Sequence, residues 1–203
     1  MRIVITGGPS VGKTTIVSLL EKRGYKVVHE VATQIIKEGR FLPWIDRKKF
    51  QSEVLKRQLA VESSILDFEN PIFLDRGAFD GEAYYLVDSL PVPPQFSMID
   101  SSQYDLAFLV EELPFFDQND VRREDLEFSK RISVMLEECY CKRNIKVVRV
   151  PAMPPDERVD FVIKNMREHM QKVVRSPEQA ASMFRTMSPL TVNAPMMGTT
   201  IPV

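Results

Sequence analysis

The chain has 203 residues and is 44% hydrophobic, enough to bury the core of one ordinary domain without disulfides or structural metals. Its 27 Lys and Arg against 28 Asp and Glu give a net charge of -1, which excludes an overall positive field able to hold nucleic acid nonspecifically. No run approaches the roughly 20 apolar residues that cross a bilayer, and Arg2-Ile3-Val4-Ile5-Thr6 carries no signal-peptide pattern, so a cytosolic protein without a membrane span is expected.

The first strand is predicted over Ile3 to Thr6 and a helix from Lys13 to about Arg23. Between them, Gly7-Gly8-Pro9-Ser10-Val11-Gly12-Lys13-Thr14 fits G-x-x-x-x-G-K-[ST] in the strand-to-helix setting that motif requires. Glycine lets successive N–H groups converge on phosphate oxygens while the following helix presents its positive end to the same anion. Lys13 is then expected to reach the β- and γ-phosphates, with the Thr14 hydroxyl on magnesium and Thr15 completing the segment. The ligand this implies is ATP or GTP with Mg2+.

A second strand is read over Tyr25 to Val28, closed by Glu30. Glu30 is a candidate base for a substrate hydroxyl, or alternatively a carboxylate at a helix N-terminus. Helices follow from about Ala32 to Glu38 and from Arg47 to Phe68. Between them Phe41, Pro43 and Trp44 either cover the core or line an acceptor pocket. Phe50, Val54, Leu55, Leu59 and Leu66 fall close to one face of the longer helix and read as core.

Ile72 to Asp75 has the pattern of a buried strand ending in an acid, at the sheet edge that the phosphate loop also occupies. Asp75 is therefore a candidate magnesium ligand, or else a helix cap, and Asp80 carries the same ambiguity as Glu30, a base for a substrate hydroxyl or a carboxylate at a helix N-terminus. Arg76 is expected to pair with a phosphate or to lock neighbouring carboxylates. Pro91, Pro93 and Pro94 mark a candidate substrate-facing insertion, and Leu106 to Val110 is a further strand.

Asp120 stands as an N-cap for a helix from about Val121 to Arg143, whose Phe128, Ile132, Met135, Leu136 and Cys139 form an apolar stripe. Arg122 and Arg123, at its start, are either cations that meet the moving phosphoryl or solvated surface charge balanced by Glu124, Asp125 and Glu127. Lys146 to Val150 is the last strand, Pro151-Ala152-Met153-Pro154-Pro155 is placed beside the base of a bound nucleotide, and a helix runs from Pro155 to about Val174. Cys139 and Cys141 read as reduced structural thiols, and His29 and His169 as isolated structural histidines. Residues 1–175 are expected to form the nucleotide-binding domain. Residues 176–203 are expected to add an extension, with a short helix near Pro177 to Met187 and an irregular tail.

The alternation of strand and helix predicts an α/β protein, a parallel sheet wrapped by helices on both faces. Taken together, the 7–15 segment, Glu30, Asp75-Arg76-Gly77 with Asp80 and Tyr84, Asp120 with Arg122, and Pro151 with Glu157-Arg158-Val159-Asp160-Phe161 resemble the small AAA-type ATPases with a kinase-like P-loop fold. These are similar to the ribosylnicotinamide kinase domain and, more distantly, to deoxynucleoside kinases. The resemblance covers about residues 1 to 170. It implies a three-layer P-loop NTPase fold, a five-stranded parallel sheet in nucleotide-kinase order, a helical lid around 120–123, and Glu30 and Arg76 on the acceptor side. Thr33 departs from the pattern, standing where many relatives carry arginine.

Two functions compete at this level. One is phosphoryl transfer to a small hydroxyl-bearing acceptor, a nucleoside or nucleotide. The other is a nucleotide-dependent switch that hydrolyses slowly and acts on a protein or lipid partner. A motor of AAA type on nucleic acid or protein has little support, since the chain shows no basic stripe and no room for a separate small helical domain.

Overall fold

A computed structural model describes residues 1–66, 70–112 and 126–174. The strands are β1 (Arg2–Thr6), β2 (Lys26–Val28), β3 (Ile72–Asp75), β4 (Leu106–Val110) and β5 (Val147–Val150). The helices are α1 (Lys13–Lys22), α2 (Val31–Glu38), α3 (Arg47–Ser63), α4 (Ala78–Val87), the single turn α5 (Gln95–Met98), α6 (Leu126–Cys141) and α7 (Pro155–Val174), with a 3-10 turn at Ser101–Gln103. Residues 1–164 form one unit. A second covers 165–203, of which the described part is the end of α7. No helix among the described residues is long and apolar enough to cross a membrane.

The five strands make one wholly parallel sheet in the order β2-β3-β1-β4-β5, as expected from the sequence. Every residue of β1, β3 and β4 is buried, which is why these strands read as continuous apolar runs rather than alternating ones. β1 is flanked by β3 and β4, and the chain leaves its two neighbours in opposite directions across the sheet. Such a reversal opens a crevice at the carboxyl ends of the strands. The register sets Ile5 opposite Asp75 and Thr6 opposite Leu109, so the loop after β1 and the acid closing β3 emerge side by side.

The larger core cluster joins Val4 and Leu74 to Phe79, Ala83, Ile132, Leu136, Cys139 and Tyr140, with Phe79 and Tyr140 meeting edge to face at 5.9 Å. The expected stripe on α6 is seen here. The stripe on α3 is corrected in two ways. Leu66 is 82% exposed, because α3 ends at Ser63 rather than Phe68. Ser63 and Ser64 turn their hydroxyls back onto the carbonyls of Ala60 and Val61 at 2.9 and 2.7 Å, taking up acceptors that another helical turn would use. The buried face of α3 also carries Gln51, Gln58 and Glu62 among its apolar residues, and is therefore not a dry stripe. Asp46 caps the start of this helix, accepting from the Lys49 N–H at 2.9 Å.

The proline loop at 91–94 is likewise corrected: it leads into α5, whose Phe96 is buried against Leu55 and Tyr85. Pro91, Val92 and Pro94 are themselves exposed, and none of 91–94 lines the cavity described below. Asp120, the start of the helix expected from Val121, Phe68, and the helix expected at Pro177 to Met187 lie outside the described residues.

Leu136 is fully buried in the larger cluster. Leu136→Ala is expected to lower unfolding free energy by about 2–5 kcal/mol, measured by urea denaturation.

Candidate phosphate-binding and acceptor site

The loop between β1 and α1 takes backbone shapes that a side chain resists. Gly7 has φ of 141° and Gly12, the residue entering α1, φ of 92°. Gly8 is fixed by proximity instead, since a Cβ there would lie 2.4 Å from Ser129 Oγ of α6. Lys13 is buried and its ammonium donates to the Gly8 carbonyl, so the side chain folds along its own loop. From α7, Arg158 donates through Nη1 to Val11 O at 2.7 Å and through Nη2 to Glu111 O at 3.1 Å, tying the loop to the end of β4.

Thr14 Oγ1 donates to Asp75 Oδ2 at 2.9 Å, while Asp75 Oδ1 is buried with no hydrogen-bond partner among the described residues. Burial and the neighbouring Glu30 charge push the Asp75 carboxyl above its ordinary range, and Lys13, Arg76 and the Thr14 hydroxyl only partly pull it back. A hydroxyl beside a carboxylate with a spare buried oxygen is a hard-oxygen donor set that fits magnesium. The described residues hold no cluster of three or more His, Cys, Asp or Glu that could bind a metal by itself. Magnesium in nucleotide sites draws most of its ligands from phosphates and water, so a hydroxyl and a carboxylate are a donor set of the kind it accepts from protein.

Arg76 closes β3 with φ of 73°, uncommon for a residue with a side chain. Its Nε donates to Glu30 Oε1 at 2.7 Å, and Nη1 donates to Asp80 Oδ1 at 3.1 Å and to the Gly7 carbonyl at 3.2 Å. Of the two roles expected for it, the geometry is that of a lock on carboxylates. Asp80 is further held by Thr6 at 2.7 Å, by Tyr140 at 2.5 Å and by the Gly77 N–H at 3.2 Å, and is wholly engaged within the fold.

Glu30 stands at the entry of α2 without capping it. Its second oxygen accepts from the Thr33 hydroxyl, so the residue that departs from the family pattern braces the carboxylate. Burial works to raise the Glu30 carboxyl, but the charges of Arg76 and Lys13 and the hydrogen bonds from Thr33 and Arg76 outweigh it, bringing it down to about 2. Glu30 is thus firmly ionised.

Next to these groups opens a cavity of about 850 Å³. Pro9 of the phosphate loop, Glu30, Thr33 and Arg76 form its polar end, and α2, α3 and α4 supply Val31, Ile36, Phe50, Val54, Leu55 and Tyr84. Pro43 and Trp44 line it too, and Trp44 is 68% exposed, so of the two expectations for that segment these residues meet the pocket one. Phe41 instead packs on Val31, Ile35 and Phe50.

Sequence reasoning missed Gln51 and Gln58. Both line the cavity, and both are buried, each 4% exposed. A signal existed: Gln51, Leu55, Gln58 and Glu62 recur at helical spacing, which sets polar side chains on the inward face. The structure brings Lys13, Thr14, Glu30, Asp75 and Arg76 together at one sheet edge. Arg122 and Arg123 lie outside the described residues.

Strand order, phosphate loop and the acid beside it define a P-loop α/β protein with the sheet of the nucleoside and nucleotide kinases. The chain belongs to the AAA domain family, whose model matches residues 2–158. Among solved structures, it is similar to deoxyadenosine kinase from M. mycoides, with a TM-score of 0.58 and 15% identity over 83% of this chain and 99% of that one. It is also similar to NadR in complex with NAD and AMP-PNP, at 0.66 and 18% over 83% of this chain and 49% of that one, so it spans about half of NadR. Shikimate kinase from Aquifex aeolicus follows at 0.51 and 20%, over 84% and 99% of the two chains. A search of curated proteins finds no match. At these identities the likeness is one of fold.

The Glu30 carboxyl sits at about 2 in the fold against an ordinary 4.5. Its ionised form therefore stabilises the fold above pH 4.5, and that contribution is lost as pH falls toward 2. Arg76→Met, which leaves buried carboxylates unpaired, is expected to cost about 3–5 kcal/mol at pH 7. Denaturation at stepped pH should show the gap from wild type narrowing between 4.5 and 2.

Proposed function

We propose that the protein is a magnesium-dependent phosphotransferase that moves the γ-phosphoryl of ATP or GTP to an uncharged, hydroxyl-bearing, nucleoside-like acceptor in a cytoplasmic setting. The observation that carries this reading is the cavity, which opens beside the phosphate loop and has the Glu30–Arg76 pair at its polar end. Gly7, Gly8, Pro9, Ser10, Val11, Gly12, Lys13, Thr14 and Thr15 would cradle the phosphates. When the nucleotide enters, Lys13 would exchange the Gly8 carbonyl for phosphate oxygens, and Thr14 with Asp75 would hold the magnesium that neutralises charge between the phosphates. Residues 176–203 are proposed as an extension of this domain.

A carboxyl as acidic as Glu30 is a weak base but a good hydrogen-bond acceptor. Phosphoryl transfer passes through a loose transition state with little need for early proton removal. Glu30 is accordingly assigned to orient the acceptor hydroxyl, with Arg76 fixing Glu30. Arg122 and Arg123 are proposed to meet the charge on the moving phosphoryl.

Charge also separates the two acceptor classes. The arginines lining the cavity are committed, Arg76 to Glu30 and Asp80, and Arg47 to Asp88 at 2.7 Å. A monophosphate dianion would have to lose its hydration beside ionised Glu30 with both these arginines engaged. A neutral sugar hydroxyl bears no such cost. A side-chain amide in the cavity wall, Gln51, supports an acceptor carrying a matched donor and acceptor edge, as a nucleobase or carboxamide does. The competing reading, a slow NTP-hydrolysing switch acting on a protein or lipid partner, draws support from the engagement of both Glu30 oxygens, which leaves no evident base for an acceptor.

The test incubates protein, magnesium and ATP or GTP with nucleosides, ribosylnicotinamide and nucleoside monophosphates, following diphosphate release and labelled acceptor. Acceptor-dependent turnover with nucleosides but not monophosphates is expected, falling about 100-fold or more in Lys13→Ala. Slow, acceptor-independent release across the panel would transfer the reading to the switch. In the same assay, Gln51→Leu is expected to raise the acceptor KM about tenfold while leaving nucleotide affinity unchanged.

A further inference from the structure

The turn from Arg76 to Ala78 is held by side chains from α3 and from the residues just before β4. Gln58 Nε2, from α3, donates to the Arg76 carbonyl at 3.1 Å and to Glu62 Oε1 at 2.8 Å. The same Glu62 oxygen accepts from the Ala78 N–H at 3.0 Å, and the other accepts from the Tyr104 hydroxyl. Tyr104 oxygen lies 3.3 Å from the Ala78 N–H as a second acceptor. The Arg76 N–H itself donates to Ile5 O at 3.1 Å and the Gly77 N–H to Asp80. The three N–H groups of this turn and the Arg76 carbonyl thus each have a named holder, and the side chains among the holders, Gln58, Glu62, Tyr104 and Asp80, are all buried.

Left-handed backbone at a residue with a Cβ persists only where its surroundings over-determine it. Were Arg76 to relax to an ordinary φ, its guanidinium would leave Glu30 and Asp80. Glu62 is a buried carboxylate that the proposed reaction does not use, and burying it is costly unless it is fully hydrogen-bonded. Its carboxylate accepts from the Ala78 N–H of this turn and from Gln58 and Tyr104, which also reach the turn.

We infer that Gln58, Glu62 and Tyr104 form a clamp of positioning residues that keeps Arg76 left-handed and thereby aims its guanidinium at Glu30. The catalytic consequence rests on the acceptor reading above, whereas the geometric one does not. Because Gln58 also lines the cavity, the clamp links the acceptor wall on α3 to the carboxylate that orients the hydroxyl.

Tyr104→Phe and Glu62→Gln test it in the full chain, the first touching neither the cavity nor the phosphate loop. Both are read by NMR exchange of the Arg76 Nε–H with water, by ATP or GTP titration calorimetry, and by acceptor kinetics. The clamp requires exchange at Arg76 to speed up about tenfold or more in at least one folded variant, nucleotide affinity to hold within twofold, and kcat to fall about tenfold with little change in acceptor KM. Arg76 exchange as slow as wild type in both variants overturns the clamp whatever the activity. Should the wild type phosphorylate no acceptor, the functional reading fails by itself, and the exchange measurement still judges the clamp.

Discussion

A guanidinium withdrawn from water keeps its charge and must find oxygens for its N–H groups, and burial around Arg76 is organised by that demand. It draws Glu30 from the end of β2, Asp80 from the first turn of α4 and the Gly7 carbonyl from the phosphate loop onto one planar fork. Asp80 in turn fixes Thr6, Tyr140 and the Gly77 N–H. The strand that delivers the loop and the helices that wall the cavity are thus joined through a single side chain. The face of the guanidinium is also used, with the Tyr84 ring 5.5 Å away.

The same arrangement divides labour between two acids at one sheet edge. Glu30 touches the arginine directly and is driven toward the ionised form, whereas Asp75 is dominated by burial and by the Glu30 charge and is driven the other way. A divalent cation beside Asp75 would reverse that second effect, since a nearby positive charge favours the carboxylate. Two carboxylates at the same sheet edge are thus held in opposite electrostatic states.

Sheet and loop were legible from the sequence because buried parallel strands leave continuous apolar runs, and because the 7–14 spacing has few other uses. Ile72 to Asp75 and Leu106 to Val110 are found with the expected bounds. The cavity was harder to read. Its lining on α3 is mainly apolar, and Phe50 is also packed with Val31 and Ile35 of α2, so Phe50, Val54 and Leu55 look like any core stripe. What a residue near the end of an element contacts depends on tertiary packing, which local periodicity does not encode. Hence Leu66 and Trp44 proved exposed where burial had been an option, and the amides at 51 and 58 went unnoticed. The partnership of Glu62 with Tyr104 joins residues 42 apart in sequence, beyond any local pattern.

In the motif G-x-x-x-x-G-K-T, the second position is nominally unconstrained. Here a Cβ on residue 8 would meet the Ser129 hydroxyl at 2.4 Å and the Ser129 carbonyl at 3.2 Å, so α6 must give way to any side chain there. The choice of residue 8 is therefore narrowed from outside the loop, by a helix more than a hundred positions downstream. A graft of residues 7–14 into another scaffold would carry that restriction as a gap, an unfilled hollow on the back of the loop, unless a surface shaped like α6 were transplanted with it.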